Sequence, residues 1–158
     1  MPTLLVGDHM TKSPHTVGRS LTLAAAHDLM RSFHIRHLPV LEEGRLVGIV
    51  SQSDLHLIET LRDVAPELVL VEEAMTDEPF VAAPDAPLAH VVREMAERKH
   101  GSVVVVEGHA VVGVFTTTDA MRVLLHLLGE EPAPLARPTH RRVAERIGAA
   151  KRRARKKA

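Results

Sequence analysis

Two four-residue stretches carry side chains that could hold a ligand. Ser51-Gln52-Ser53-Asp54 and Thr116-Thr117-Thr118-Asp119 each set a hydroxyl three residues before a carboxylate. One carboxylate can accept hydrogen bonds from two neighbouring hydroxyls at once, which suits a ribose diol, and charge-assisted bonds of this kind are the stronger ones. Each stretch ends a β-rich run and opens a run of helical spacing. Backbone amides without intrahelical partners, and the positive end of the helix dipole, then point outward where a phosphate could sit. The same residues could instead do no more than cap their helices, and one copy alone does not decide between the two readings.

Other chemistry is sparse. Cysteine is absent, which removes disulfides, thiolate metal sites and cysteine nucleophiles together. There are eleven histidines, but His34-x-x-His37 is the only close pair in the body of the chain. It spans a helix end and a strand start with no carboxylate-rich partner motif, so no metal site is expected. No P-loop, no glycine fingerprint for a dinucleotide, no nucleophile elbow and no suggestively spaced carboxylate pair occurs. The chain reads as a binding protein and not an enzyme.

The two stretches recur because the chain is duplicated. Residues 6–54 align without a gap onto residues 71–119 at an offset of 65, with Met10, Thr11, Pro14, Leu23, Met30, Val40, Gly48 and Asp54 returning as Met75, Thr76, Pro79, Leu88, Met95, Val105, Gly113 and Asp119. Each copy predicts the same elements. A Met-Thr-x-x-Pro turn leads into a short extended piece, His15 to Val17 or Phe80 to Ala82. A helix follows, capped at Ser20 or Asp85, with Ala26, Leu29, Met30 and Phe33 on one face in the first copy and Leu88, Val91, Val92 and Met95 in the second. Two β-rich runs come next, Leu38 to Leu41 with Leu46 to Val50, and Val103 to Val106 with Val111 to Phe115. Gly48 and Gly113 fall inside the second strand of each pair, where a glycine marks a bulge or a close backbone approach. A second helix starts near Asp54 or Asp119. The fold class is α/β (α+β): two β-α-β-β-α units, each marginal in stability alone, packed pseudo-symmetrically through their sheets.

This ordered duplication resembles a tandem pair of CBS domains, the module named after cystathionine β-synthase. Met10-Thr11-x-x-Pro14, Ile35-Arg36-His37-Leu38-Pro39-Val40 and Gly48-Ile49-Val50-Ser51-Gln52-Ser53-Asp54 carry it, with Met75-Thr76-x-x-Pro79 and Gly113-Val114-Phe115-Thr116-Thr117-Thr118-Asp119 in the second copy. The resemblance implies a regulatory module without catalysis or cofactor. It would bind AMP, ADP, ATP or an adenosyl compound such as S-adenosylmethionine between the repeats, and form a homodimer that signals to a protein partner. It also implies ribose contacts from Asp54 and Asp119, phosphate contacts from Ser51 and Thr116, and adenine-side contacts from Thr16, Val17, Val81 and Ala82. Arg36 and His37, beside Pro39, would reach phosphate. The second copy departs from this pattern, with Gly101 and Ser102 at the matching positions, so two unequal sites are expected.

Charge divides the chain differently. Residues 1–136 hold 10 basic and 19 acidic side chains, while residues 137–158 hold 10 basic and one acidic, so a formal net charge of zero joins an acidic body to a basic tail. The expected organisation is repeat 1 over residues 1–65, repeat 2 over 66–130, and a proline-containing linker with a flexible basic tail over 131–158. The tail could be a solvated arm, could contact nucleic acid or a ribosome through Arg141, Arg142, Lys151, Arg152, Arg153, Arg155, Lys156 and Lys157, or could lie on an anionic membrane. With only three aromatic residues, Phe33, Phe80 and Phe115, base-stacking platforms for single strands are not expected. No membrane span or signal segment is read, and a cytoplasmic location is expected.

Overall fold

The 65-residue period returns in the computed structural model, which describes residues 2–134, with one difference: the strand Thr11–Lys12 of the first copy has only an isolated bridge at Thr76 as its counterpart. The first copy forms a single helical turn α1 (Val6–His9), strands β1 (Thr11–Lys12) and β2 (Val17–Gly18), helix α2 (Leu23–Phe33), strands β3 (His37–Glu42) and β4 (Arg45–Ser51), and helix α3 (Gln52–Glu59). The second forms a 3-10 turn (Val71–Glu73), β5 (Val81–Ala82), α4 (Leu88–Arg98), β6 (Ser102–Glu107), β7 (Ala110–Thr116) and α5 (Thr117–Leu127). The eight tail cations named above, Arg141 to Lys157, lie outside the described residues.

Local sequence sets the boundaries. The caps expected at Ser20 and Asp85 stand two residues too early. Thr22 caps α2 by accepting from the Ala25 amide at 3.2 Å. Pro87 takes the matching position of α4, and because a proline holds its predecessor extended, the helix cannot begin before it. Both helices stop at a residue in the left-handed region, His34 at φ 52° and Lys99 at φ 56°, an ending that satisfies the last carbonyls.

The strands form two sheets. In one, β2 runs parallel to β3 and β3 pairs antiparallel with β4; in the other, β5, β6 and β7 repeat this arrangement and β1 adds to the far edge of β7. Strand β1 therefore belongs to the first copy in sequence and to the second in space, with Thr11 opposite Val114 and Lys12 opposite Gly113. The second copy reciprocates. Thr76 bridges to Ile49 on β4, with the Ile49 amide donating to Thr76 at 3.0 Å and the Thr76 amide to Ile49 at 2.8 Å.

The cores interlock in the same way. Fully buried Val71 completes the first, packed among Leu23, Ala26, Met30, Leu38, Val40, Val50 and Leu55, while fully buried Val6 completes the second with Leu88, Val91, Met95, Val103, Val105 and Phe115. Burying one valine stabilises by about 1.5–3 kcal/mol, so the crossing segments bind the copies strongly to each other. Gly48 and Gly113 are where they cross. Both expected meanings of these glycines hold: the ladder shifts register beside each of them, and the opening methionine of the other copy, Met75 or Met10, lies directly on each.

Candidate functional site

Ser51 and Thr116 end β4 and β7 and become the N-caps of α3 and α5. The Ser51 amide and hydroxyl donate to Asp54 Oδ2 at 2.7 and 2.8 Å, and the Asp54 amide donates back to Ser51 Oγ at 3.2 Å. Thr116 and Asp119 repeat this box, with bonds of 2.8, 2.9 and 3.4 Å. Helix capping is thus real in both copies. It uses only Oδ2 among the described hydrogen bonds, so Oδ1 of each aspartate and the remaining first-turn amides stay available to a ligand. Asp119 is buried and Asp54 half-buried.

The ends of the two helices meet where the copies face each other. The Arg36 carbonyl accepts from the Gln52 amide of α3 at 2.8 Å, while its guanidinium donates to Thr118 Oγ1 of α5 at 3.0 Å. One arginine therefore spans the two helix starts. Sequence spacing gave no sign of this, since Arg36 and Thr118 are 82 residues apart. His37 pairs with Ser51 across the β3–β4 ladder, and its Nε2 lies 3.3 Å from where a side chain on Gly101 would begin. Gly101, the counterpart of Arg36, accepts from the Thr117 amide at 3.1 Å. A larger residue there would displace the His37 ring. Burial holds the His37 pKa below its ordinary value, and neighbouring Arg36 lowers it further, against a smaller opposing pull from Asp54.

The adenine-side residues divide by face. Thr16 and Val81 are exposed, whereas Val17 is buried in the first core and Ala82 is half-buried against the second. Successive strand residues point to opposite faces, so Val17 and Ala82 could offer a ligand main-chain groups and not their side chains. Pro39 is buried on β3, one residue before Val40, which pairs with Val17. A separate groove of about 510 Å³ between the opening segment and β7 is lined by Asp8, Asp85 and Glu107 against Lys12. Its three carboxylates oppose a phosphate, and none of the residues above lines it.

No third donor joins His34 and His37 among the described residues. A different group converges instead: donor atoms of His27 on α2 and of His56 and Glu59 on α3 all lie within 4.8 Å of one another. Sequence reasoning passed over these three because His27 lies 29 residues before His56, and only the packing of α2 on α3 joins them.

Comparisons with known proteins identify the family of this fold. The family model for the CBS domain matches residues 6–57 and again residues 71–126. An L-aspartate semialdehyde sulfurtransferase of Methanocaldococcus jannaschii is 32% identical over 77% of the chain, which spans only 23% of that enzyme. Among solved structures, the CBS domain pair of protein MJ0100 in complex with 5′-methylthioadenosine and S-adenosyl-L-methionine is similar at 30% identity, with a TM-score of 0.73 over 80% of this chain and 99% of that one. CBSX2 in complex with AMP is similar at 27% identity and a TM-score of 0.66, over 78% and 98%. No helix of the described residues is long and apolar enough to cross a membrane. With both copies matched, and with the duplicated boxes in register, the chain belongs to the CBS-domain family and carries two of its domains as a pair.

Proposed function

We propose that this pair is a non-catalytic sensor that binds an adenosine-containing nucleotide or adenosyl compound between its repeats. The observation that carries the reading is the duplicated helix-start box, in which a carboxylate keeps one oxygen out of its own cap at two places joined by Arg36. Asp54 and Asp119 would hold ribose, Ser51 and Thr116 with the first-turn amides of Ser53 and Thr118 would hold phosphate, and Thr16, Val17, Val81 and Ala82 would border adenine. The AMP, S-adenosylmethionine and methylthioadenosine held by related pairs support the ligand class. Because the ligand would touch both copies, its binding shifts their packing and any assembly built on it.

Arg36 distinguishes ligands within this class. Its guanidinium lies at the start of α5, so it would meet a phosphate and ignore an uncharged thioether. Calorimetry with the full chain should show binding of AMP or methylthioadenosine. Arg36→Ala should then weaken AMP by about tenfold or more, the scale of one lost charged hydrogen bond, and leave methylthioadenosine unchanged. Failure of AMP, ATP, S-adenosylmethionine and methylthioadenosine all to bind at millimolar concentration would sink the reading. Equal losses for AMP and methylthioadenosine would remove Arg36 from phosphate recognition only.

The signal is proposed to travel through a homodimer. Helix α5 buries Val123 but leaves Met121, Leu124, Leu125 and Leu128 exposed at i, i+3, i+4 and i+7, and α3 adds exposed Leu57 with Leu61 just beyond it. An apolar stripe of that width on a soluble surface marks an interface, and a second copy offers the matching stripe. Sedimentation should give a dimer, and Leu124→Glu with Leu128→Glu should give a folded monomer. A monomeric wild-type chain would refute the assignment. The excess of basic residues in 137–158 supports a second contact, with nucleic acid, whose affinity would fall steeply with salt.

A further inference from the structure

One cluster of ligating side chains has no part in the proposed nucleotide site. His27 projects from α2 toward α3, where His56 and Glu59 stand three residues apart, one turn along the same face. His27 Nδ1 lies 2.6 Å from Glu59 Oε1, and the two imidazoles meet edge to face with centroids 5.5 Å apart at 71°. The ring nitrogens of His56 have no hydrogen-bond partner among the described residues. At the corresponding positions the second copy carries Val92, Met121 and Leu124. The three donors are therefore peculiar to the first copy, and the repeat does not need them to pack its helices.

We propose that His27, His56 and Glu59 form a binding site for a divalent transition-metal ion of the zinc class. Two imidazoles and one carboxylate are the donors such borderline ions prefer, whereas magnesium and calcium select oxygen ligands. A tetrahedral ion bound at about 2.0–2.2 Å holds its ligand atoms about 3.4 Å apart. The cluster begins within 4.8 Å, so small rotations of side chains on two fixed helices close it. His56 and Glu59 are exposed, so a fourth position faces solvent and takes a water. The ion would replace the hydrogen bond between His27 and Glu59 and clip α2 to α3. His56 lies about 200° around α3 from Asp54 at 100° per residue, which keeps the metal off the face that carries the helix-start box.

The full chain, stripped with a chelator and free of nucleotide, should bind one equivalent of Zn²⁺ at this site by calorimetry. Cobalt(II) in its place should give the visible absorption of a tetrahedral ion, and Zn²⁺ should raise Tm. His56→Ala and Glu59→Gln change exposed side chains, so a circular dichroism spectrum like that of wild type is expected. Each should weaken the metal by at least about tenfold, the cost of losing a mere outer-shell partner, and His27→Ala should do the same. His90→Ala and His109→Ala should bind as wild type does, and so should Asp54→Asn, which separates failure here from failure of the nucleotide reading. Unchanged stoichiometry and affinity in His27→Ala/His56→Ala, or no binding by the wild-type chain at millimolar Zn²⁺, would overturn the proposal.

Discussion

Gly48→Ala is expected to destabilise the protein by about 2–3 kcal/mol, the upper range for overpacking a closed interior. A methyl group at this position would meet Met75 Sδ at 2.6 Å and the Thr76 carbonyl oxygen at 2.8 Å. The thioether can swing away. The carbonyl cannot, because it accepts from the Ile49 amide next door and holds the second copy's opening segment on β4. Relief of the clash would thus cost the bond that joins the copies. Gly113→Ala is the internal control. There the added carbon meets Met10 Sδ, with Met10 Cγ at 2.8 Å and Cε at 3.1 Å, all atoms of one flexible side chain, and about 1 kcal/mol is expected. Urea denaturation of the two variants reads the difference. Equal losses would mean that the Thr76 backbone yields as readily as a methionine, and the distinction drawn between the two crossings would fail.

The second large effect falls on Asp119. Asp119→Ala strips the acceptor from the Thr116 amide and hydroxyl at a buried position, and should cost about 1–2 kcal/mol of stability as a lost helix-terminal box does. It should also abolish measurable nucleotide binding at the α5 end. Asp119→Asn separates the two roles. Its carboxamide oxygen can still accept from Thr116, so most of the stability should return, while the uncharged oxygen bonds a ribose diol more weakly. Restored stability with a loss of affinity of about tenfold or more is expected. An Asp119→Asn variant that binds as wild type would show that the aspartate only caps its helix. Asp54→Ala should repeat the stability effect less strongly, since Asp54 is half-buried and water can replace part of what is lost.

Much of this architecture was legible because it is local. The period of 65, the helix faces, the hairpins and the hydroxyl-to-carboxylate spacing each depend on residues near one another in sequence. The two caps went astray for a local reason also: Ser20 and Asp85 are good cap residues, but Thr22 and Pro87 sit where the backbone turns into the helix. What stayed hidden is non-local. The repeat pattern shows that residues 6–11 resemble residues 71–76 but not that each segment serves the opposite core, because the pattern is the same whether such segments stay home or cross. Gly48 and Gly113 hinted at a close approach without naming Met75 and Met10. Arg36 could be read as a cation beside its own strand, but its contact with Thr118 depends on how the copies face each other. The group of His27, His56 and Glu59 needed the packing of two helices.

The crossing segments also order events in time. The Val6 amide donates to the Ala86 carbonyl, Gly7 to Pro84, and the Leu88 amide returns a bond to Leu4, so residues 4–7 leave the ribosome about eighty residues before the groups that bury them. The first core can close once Met75 has emerged, for everything it contains lies between Val17 and Met75. Until the second copy follows, Val6 and its neighbours form a sticky arm, and such exposed apolar segments invite association with the wrong partner. The nearest wrong partner is the same arm's proper target on another chain, so crowded synthesis should favour dimers that have exchanged their arms.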